Sequence, residues 1–168
     1  MLVLRRLRAD DEAAVEAAHA QLAEEGSPFL LHRDCVASFG EYLELLERQR
    51  AGRDPHPRRV RASFLVAEMD GEIVGRVSIR HELNEHLERE GGHIGFVVIP
   101  EHRRRGYATQ ILRRSLEILA AEGLVTALVT CDEDSIASAA TIERCGGELV
   151  GHAEDNGSLV RHYRVPAT

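Results

Sequence analysis

Between residues 72 and 80, Ile73, Gly75, Val77 and Ile79 interleave with Arg76, Ser78 and Arg80. A period of two predicts a strand with one buried and one wetter face. Residues 64–68 read as its partner, because Asp70-Gly71 between them suits a tight hairpin whose central residues both tolerate positive φ. Residues 2–7 predict a short first strand. Asp10 and Asp11 then sit where a helix N-cap and first turn favour carboxylates, and that helix is expected to reach Glu25 before Gly26-Ser27-Pro28 breaks it. Phe39, Leu43 and Leu46 line one side of a second helix, 36–50, and residues 52–57, with two prolines and no apolar residue, predict a loop. A further strand starts at Gly92 or His93 and stops at Pro100. After it, Ala108, Ile111, Leu112, Leu116 and Leu119 recur at helical spacing. Residues 124–130 read as a strand and 136–144 as a helix stopped by Gly146-Gly147. Segments 148–152 and 158–165 form a closing hairpin around Asp155-Asn156-Gly157. No internal repeat or low-complexity segment is present.

A chain of 168 residues with 43% hydrophobic content predicts one domain over residues 1–168 with its own core. The first apolar run is too short for a signal peptide and no stretch reaches membrane-spanning length, which points to a cytoplasmic protein with no membrane partner. Formal net charge is −7, and no second basic run with interleaved aromatics offsets it, so no nucleic-acid partner is expected. Cys35, Cys131 and Cys145 are odd in number and widely spaced, which argues for reduced thiols over a disulfide framework or thiolate metal site. His81 and His86 flank a stretch that suggests a zinc motif, but they are five positions apart, roughly 140° on a helix, whereas two ligands need one face. No metal is expected. Glu82, Glu85, Glu88 and Glu90 there read either as a solvated acidic connection or as an attractor for a cationic amine.

The chemistry concentrates at Gly95-Phe96-Val97-Val98-Ile99-Pro100-Glu101-His102-Arg103-Arg104-Arg105-Gly106-Tyr107-Ala108-Thr109. An apolar strand ends, three arginines follow, and a glycine opens a helix. Unpaired N–H groups and the positive end of the helix dipole at such a start hold phosphate well. Gly106 allows close approach of the backbone, and small Ala108 keeps a second approach open. A P-loop Gly-x-x-x-x-Gly-Lys and a dinucleotide Gly-x-Gly-x-x-Gly are both absent.

Arg103-x-x-Gly106-x-Ala108 behind an apolar strand resembles the pyrophosphate-binding signature of the GNAT superfamily of acyl-coenzyme A-dependent N-acetyltransferases. The strand before it, the long amphipathic helix after it, the next strand and a second helix ending in glycine agree with that resemblance, which is strongest from His93 to Gly151. It implies an α/β (α+β) fold of order β-α-α-β-β-β-α-β-α-β-β, a strongly twisted mixed sheet of about seven strands with helices on both faces. The fourth and fifth strands of such a fold splay apart to admit the cofactor. It implies acetyl-coenzyme A as acyl donor, an amine as acceptor, and main-chain contacts to the cofactor from Phe96, Val97 and Val98. Arg103, Arg104, Arg105, Gly106, Tyr107, Ala108 and Thr109 would form the phosphate loop, with Ser135 reaching the pantetheine arm. The family also allows a homodimer.

Amide formation needs a deprotonated amine, a donor for the developing oxyanion and a proton for the leaving thiolate. His93, at the start of the strand and where many relatives carry glutamate, is the candidate base, with Glu90 and Glu82 behind it. Many relatives place a tyrosine acid seven residues after the position of Ser135, but Ile142 stands there. That departure favours direct attack with the thiolate protonated by water. It also leaves room for a non-catalytic acyl-coenzyme A-binding sensor or partner module on the same fold.

Overall fold

The computed structural model describes residues 1–168, the side chain of Asp155 excepted. Its elements are β1 (Val3–Arg6), α1 (Glu12–Ala23), α2 (Phe39–Arg50), β2 (Ala62–Met69), β3 (Glu72–Arg80), α3 (Glu85–Arg89), β4 (Ile94–Val98), α4 (Tyr107–Ala121), β5 (Thr126–Asp132), α5 (Ile136–Arg144), β6 (Glu148–Asp155) and β7 (Ser158–Pro166). This is the order read from the sequence, with α3 added. Asn84 starts α3 by accepting the Leu87 N–H at 3.0 Å, a cap the sequence reading passed over. Helix α2 starts later than expected because Ser38 caps it: Ser38 Oγ accepts the Glu41 N–H at 3.1 Å, and Glu41 Oε2 accepts the Ser38 N–H at 3.3 Å.

The strands divide into a four-stranded sheet, β1-β2-β3-β4, and a three-stranded sheet, β5-β7-β6. Every strand pair within them is antiparallel. One isolated bridge, Gly92 to Val129, links the two sheets, and β4 otherwise has a free edge toward β5. Asp70 and Gly71 turn the β2–β3 hairpin at φ 52° and 84°, and Asn156 and Gly157 turn β6–β7 at 46° and 83°.

The expected wetter face of β3 is not wet. Arg76 and Ser78 are only 5% and 6% exposed, because β3 is an inner strand covered on both sides. One core packs α1 and α2 on Phe64, Val66, Ile73 and Ile99; the other packs α4 and α5 on Val77, Ile79, Ile94 and Val98, with Tyr163 and Val165 of the second sheet. The β2–β3 register also jumps Val74, pairing Ala67 with Gly75 but Glu68 with Ile73. This bulge puts Ile73 in a different core from Val77 and Ile79, and Val74 in the same one as they are, so the alternation changes phase at the hairpin end.

Candidate active site

Two adjoining cavities open between β4, α4, β5 and α5. The larger, about 1020 Å³, is lined by Phe96, Val97 and Val98 of β4, by Arg103, Arg104 and Gly106, by Tyr107, Ala108 and Thr109 of α4, and by Ser135, Ser138 and Thr141. The smaller, about 400 Å³, is lined by Arg76, Arg80, Glu90, Gly91, Gly95, Thr130, Cys131 and Asp132. Ser27, Phe96, Ser135 and Ser138 belong to both walls.

At the phosphate loop, Arg104 and Gly106 both take left-handed backbone, φ 63° and 78°. Gly106 caps α4 without a side-chain bond, and the first helical bond runs from the Gln110 N–H to the Gly106 carbonyl at 3.2 Å. The N–H groups of Tyr107, Ala108 and Thr109 therefore stand at the helix mouth, with no acidic residue in that first turn to occupy them. Arg103 turns back: its Nε donates to the Val98 carbonyl at 3.2 Å and its Nη2 pairs with Glu25 at 2.7 Å. Arg105 is exposed and lines neither cavity.

The free edge of β4 supplies a second set of donors. Arg80 N–H bonds to the His93 carbonyl at 2.7 Å and Ile99 N–H to the Val74 carbonyl at 2.9 Å. With Val97 opposite Arg76, antiparallel alternation turns the Val97 N–H toward β3 and leaves those of Phe96 and Val98 on the cleft side. No bulge is involved, since the β3–β4 register is continuous from Gly75–Val98 to Ile79–Ile94. Of the three main chains expected at the cofactor, that of Val97 thus presents its N–H away from the cleft.

His93 lines neither cavity. Gly91 and Gly92, at φ 101° and 59°, bend the chain so that its imidazole faces β5, where Nδ1 accepts the Leu128 N–H at 2.9 Å while the His93 N–H donates to the Leu128 carbonyl at 2.8 Å. It is 9% exposed, and burial lowers its pKa below the ordinary histidine value. These contacts make His93 a bolt between β4 and β5, whereas the sequence reading has it as the candidate base. Glu90 lines the smaller cavity, whereas Glu82 is exposed and accepts the Arg61 N–H.

Ile142 is fully buried in the core under α4. Tyr42 and Tyr163 are buried as well, their hydroxyls donating to the Leu31 carbonyl and to Glu143. The hydroxyls at the junction of the cavities are those of Ser27, Ser135 and Ser138. The spacing of Ser135 and Ser138, one helical turn apart, was a legible sign of a shared face. His81 belongs to a different network: its Nε2 and Nδ1 each lie 2.8 Å from a partner, Ser63 Oγ and Glu122 Oε2. Neither cavity reaches it. Among the described residues no cluster of three or more metal-ligating side chains occurs, and no helix is long and apolar enough to cross a membrane.

The sequence profile of the acetyltransferase (GNAT) family matches residues 28–147. A mycothiol acetyltransferase of Streptomyces griseus is 32% identical over 117 residues, which cover 69% of this chain and 37% of that protein. The chain thus spans well under half the length of this curated relative. Among solved structures, RimJ of Mycobacterium smegmatis in complex with CoA-disulfide is similar at TM-score 0.74 and 20% identity, over 99% of this chain and 82% of the other. A GNAT-family acetyltransferase of Streptococcus pneumoniae gives TM-score 0.68 and 17% identity over 99% of each chain.

Proposed function

The chain belongs to the acetyltransferase (GNAT) family, and on that premise we propose that it moves an acetyl group from acetyl-coenzyme A to an amine. The observation behind this reading is the larger cavity, where the N–H groups at the mouth of α4 and those on the free edge of β4 face one space of about 1020 Å³. A pyrophosphate suits the first set of donors and an extended amide-bearing arm the second. Acetyl-coenzyme A would supply the activated acyl group.

The residues of the two walls then divide the work. The Phe96 N–H, which borders both cavities, polarises the thioester carbonyl and holds the charge that develops on its oxygen, while the Val98 N–H, ~7 Å further along the same edge, holds the extended arm of the cofactor. Glu90, on the wall of the smaller cavity, takes the proton of the incoming ammonium directly or through water. The amine lone pair then attacks the carbonyl carbon, and the carbon–sulfur bond breaks as the amide forms. With Ile142 in the tyrosine position, the second proton, shed by the nitrogen as the amide forms, passes to the departing thiolate through water, with the Ser135 and Ser138 hydroxyls placed to relay it; a thiol of ordinary pKa near ~8.5 leaves readily without a dedicated acid.

Incubation with acetyl-coenzyme A and a panel of amines, with release of free thiol and the acetylated product both measured, tests the reading. Acetylated product is expected. Tight coenzyme A binding with no thiol release across a broad panel would instead favour a non-catalytic acyl-coenzyme A-binding module.

A further inference from the structure

The smaller cavity has two guanidinium groups in its wall. Arg76 is 5% exposed and donates to three main-chain carbonyls: Phe29 at 3.0 Å, Gly95 at 3.1 Å and Pro28 at 2.6 Å. Burial, with the neighbouring charge of Arg80 behind it, pushes its pKa down to about 10, so it stays cationic at neutral pH. Arg80 donates from Nη1 to the carbonyls of Gly91 at 2.9 Å and Gly92 at 3.3 Å. Among the described residues its Nε and Nη2 reach no acceptor, and they are not sealed from solvent. Gly95 makes the room for this arrangement, since a Cβ there would stand 3.3 Å from Nη1 and 3.4 Å from Nη2.

Two like charges side by side at a cavity wall, held by carbonyl dipoles, are costly unless an anion comes to them. A guanidinium with spare donors in a fixed plane matches a carboxylate in particular. Glu90 and Asp132 line the same cavity, so it carries acidic groups as well as basic ones. A purely cationic amine would meet the arginines unfavourably. A molecule carrying both charges would not.

We propose that the acceptor is of amino-acid type, its carboxylate taken by Arg80 with Arg76 behind, and its amine turned toward Glu90 and Asp132. The cavity of about 400 Å³ sets the scale at a small molecule or a short peptide end. This inference rests on the acetyl-transfer reading above and adds the chemical class of the acceptor to it.

The test uses the common L-amino acids paired with their own carboxamides, which keep the amine and remove the anion, with thiol release from acetyl-coenzyme A as the readout. For acceptors that turn over, kcat/KM should be roughly tenfold to a hundredfold higher for the acid than for its amide, the scale of a charge-assisted hydrogen bond, and the difference should lie in KM. Arg80→Met should erase that preference and Arg80→Lys keep part of it, both with unchanged coenzyme A affinity. Amides or simple diamines acetylated as well as the acids, or a preference that survives Arg80→Met, would overturn the proposal. Should no amine be acetylated at all, the transfer reading fails first. Calorimetry of N-acetyl-L-amino acids against N-acetyl carboxamides on the coenzyme A-loaded protein then reads the carboxylate site without turnover. Equal or absent binding of the two series there would overturn the site itself, and the wild-type comparison needs no variant to fold.

Discussion

Replacing Gly106 separates the folding role of the phosphate loop from its binding role. Gly106 caps α4 at φ 78°, and a Cβ built there meets no atom within 4 Å. Alanine therefore costs only the left-handed backbone, about 1–2 kcal/mol, which a domain of ordinary stability survives. Glutamate suffers the same strain, but its carboxylate sits at the positive end of the helix and regains about 0.3–1 kcal/mol, so Gly106→Glu should melt no lower than Gly106→Ala. Binding should show the opposite order. In the wild-type chain the N–H groups of Tyr107, Ala108 and Thr109 are open, and each bond to a charged oxygen contributes about 1.5–3 kcal/mol. A carboxylate that occupies one or two of them and repels a pyrophosphate should raise the Kd for coenzyme A by roughly a hundredfold or more, since each ~1.4 kcal/mol is tenfold. Thermal melts and calorimetric titration with coenzyme A on both variants measure the two quantities. A folded Gly106→Glu protein with wild-type affinity would refute the assignment of this loop to phosphate.

Glu90→Gln should lower kcat/KM roughly 10²-fold, the scale of a positioned general base, and flatten the acidic limb of the pH–rate profile while coenzyme A affinity holds; unchanged turnover would remove Glu90 from the mechanism. His93→Ala should leave that profile in shape but weaken folding by about 1–2 kcal/mol, because it removes the acceptor of the part-buried Leu128 N–H. Burial lowers the His93 pKa, so the unfolded chain binds its proton more readily. The stability it gives is present above the ordinary value near ~6.5 and is lost as pH falls through the folded one; denaturant melts on the acid side should show a slope that the alanine variant lacks. Gly75→Ala should cost about 1–3 kcal/mol, since its Cβ would stand 2.5 Å from the Val97 carbonyl oxygen and 3.2 Å from Ile111, and a melting temperature equal to wild type would contradict the close β3–β4 approach. Asp11→Ala should cost a similar amount by removing the partner of Arg5 at 2.7 and 2.9 Å and of the Arg8 N–H at 2.8 Å, with chemical denaturation at neutral pH as the check.

Periodicity found the long elements because each long element buries one face. Ile111, Leu112, Leu116 and Leu119 are buried as their helical spacing predicts, and the two glycine-containing hairpin turns take the positive φ values that their residues favour. What escaped was what depends on a second layer. Arg76 looked solvated because a charge on alternate strand positions is usually in water, and nothing within β3 says that the segment after α1 closes over it with the Pro28 and Phe29 carbonyls. The five residues of α3 hold too little pattern for a helix to be read, and the Asn84 cap is informative only once the helix is known. His93 illustrates the same limit at the site. Its place at the head of β4 was legible, but the direction of its ring is set by the paired positive φ of Gly91 and Gly92, which the letters allow without requiring.

The run Arg103-Arg104-Arg105 drew attention because of its charge, yet the geometry gives side chains a smaller part than main chain. Arg103 is committed to the Val98 carbonyl and to Glu25, and Arg104 and Arg105 are exposed, where attraction to a phosphate fades over ~8 Å at physiological salt. The N–H groups at the mouth of α4 suffer no such screening once a ligand covers them, and they need no side-chain ordering to act. Arg103 contributes by fastening the loop to the end of β4, so that the left-handed turns at Arg104 and Gly106 aim the helix mouth into the larger cavity. On the proposed reading, and in a chain of net charge −7, the exposed pair softens the long-range repulsion that a polyphosphate cofactor meets on approach. On the proposed assignment, affinity and approach are set by different atoms of residues 103–109, main-chain N–H groups for the first and exposed guanidinium groups for the second.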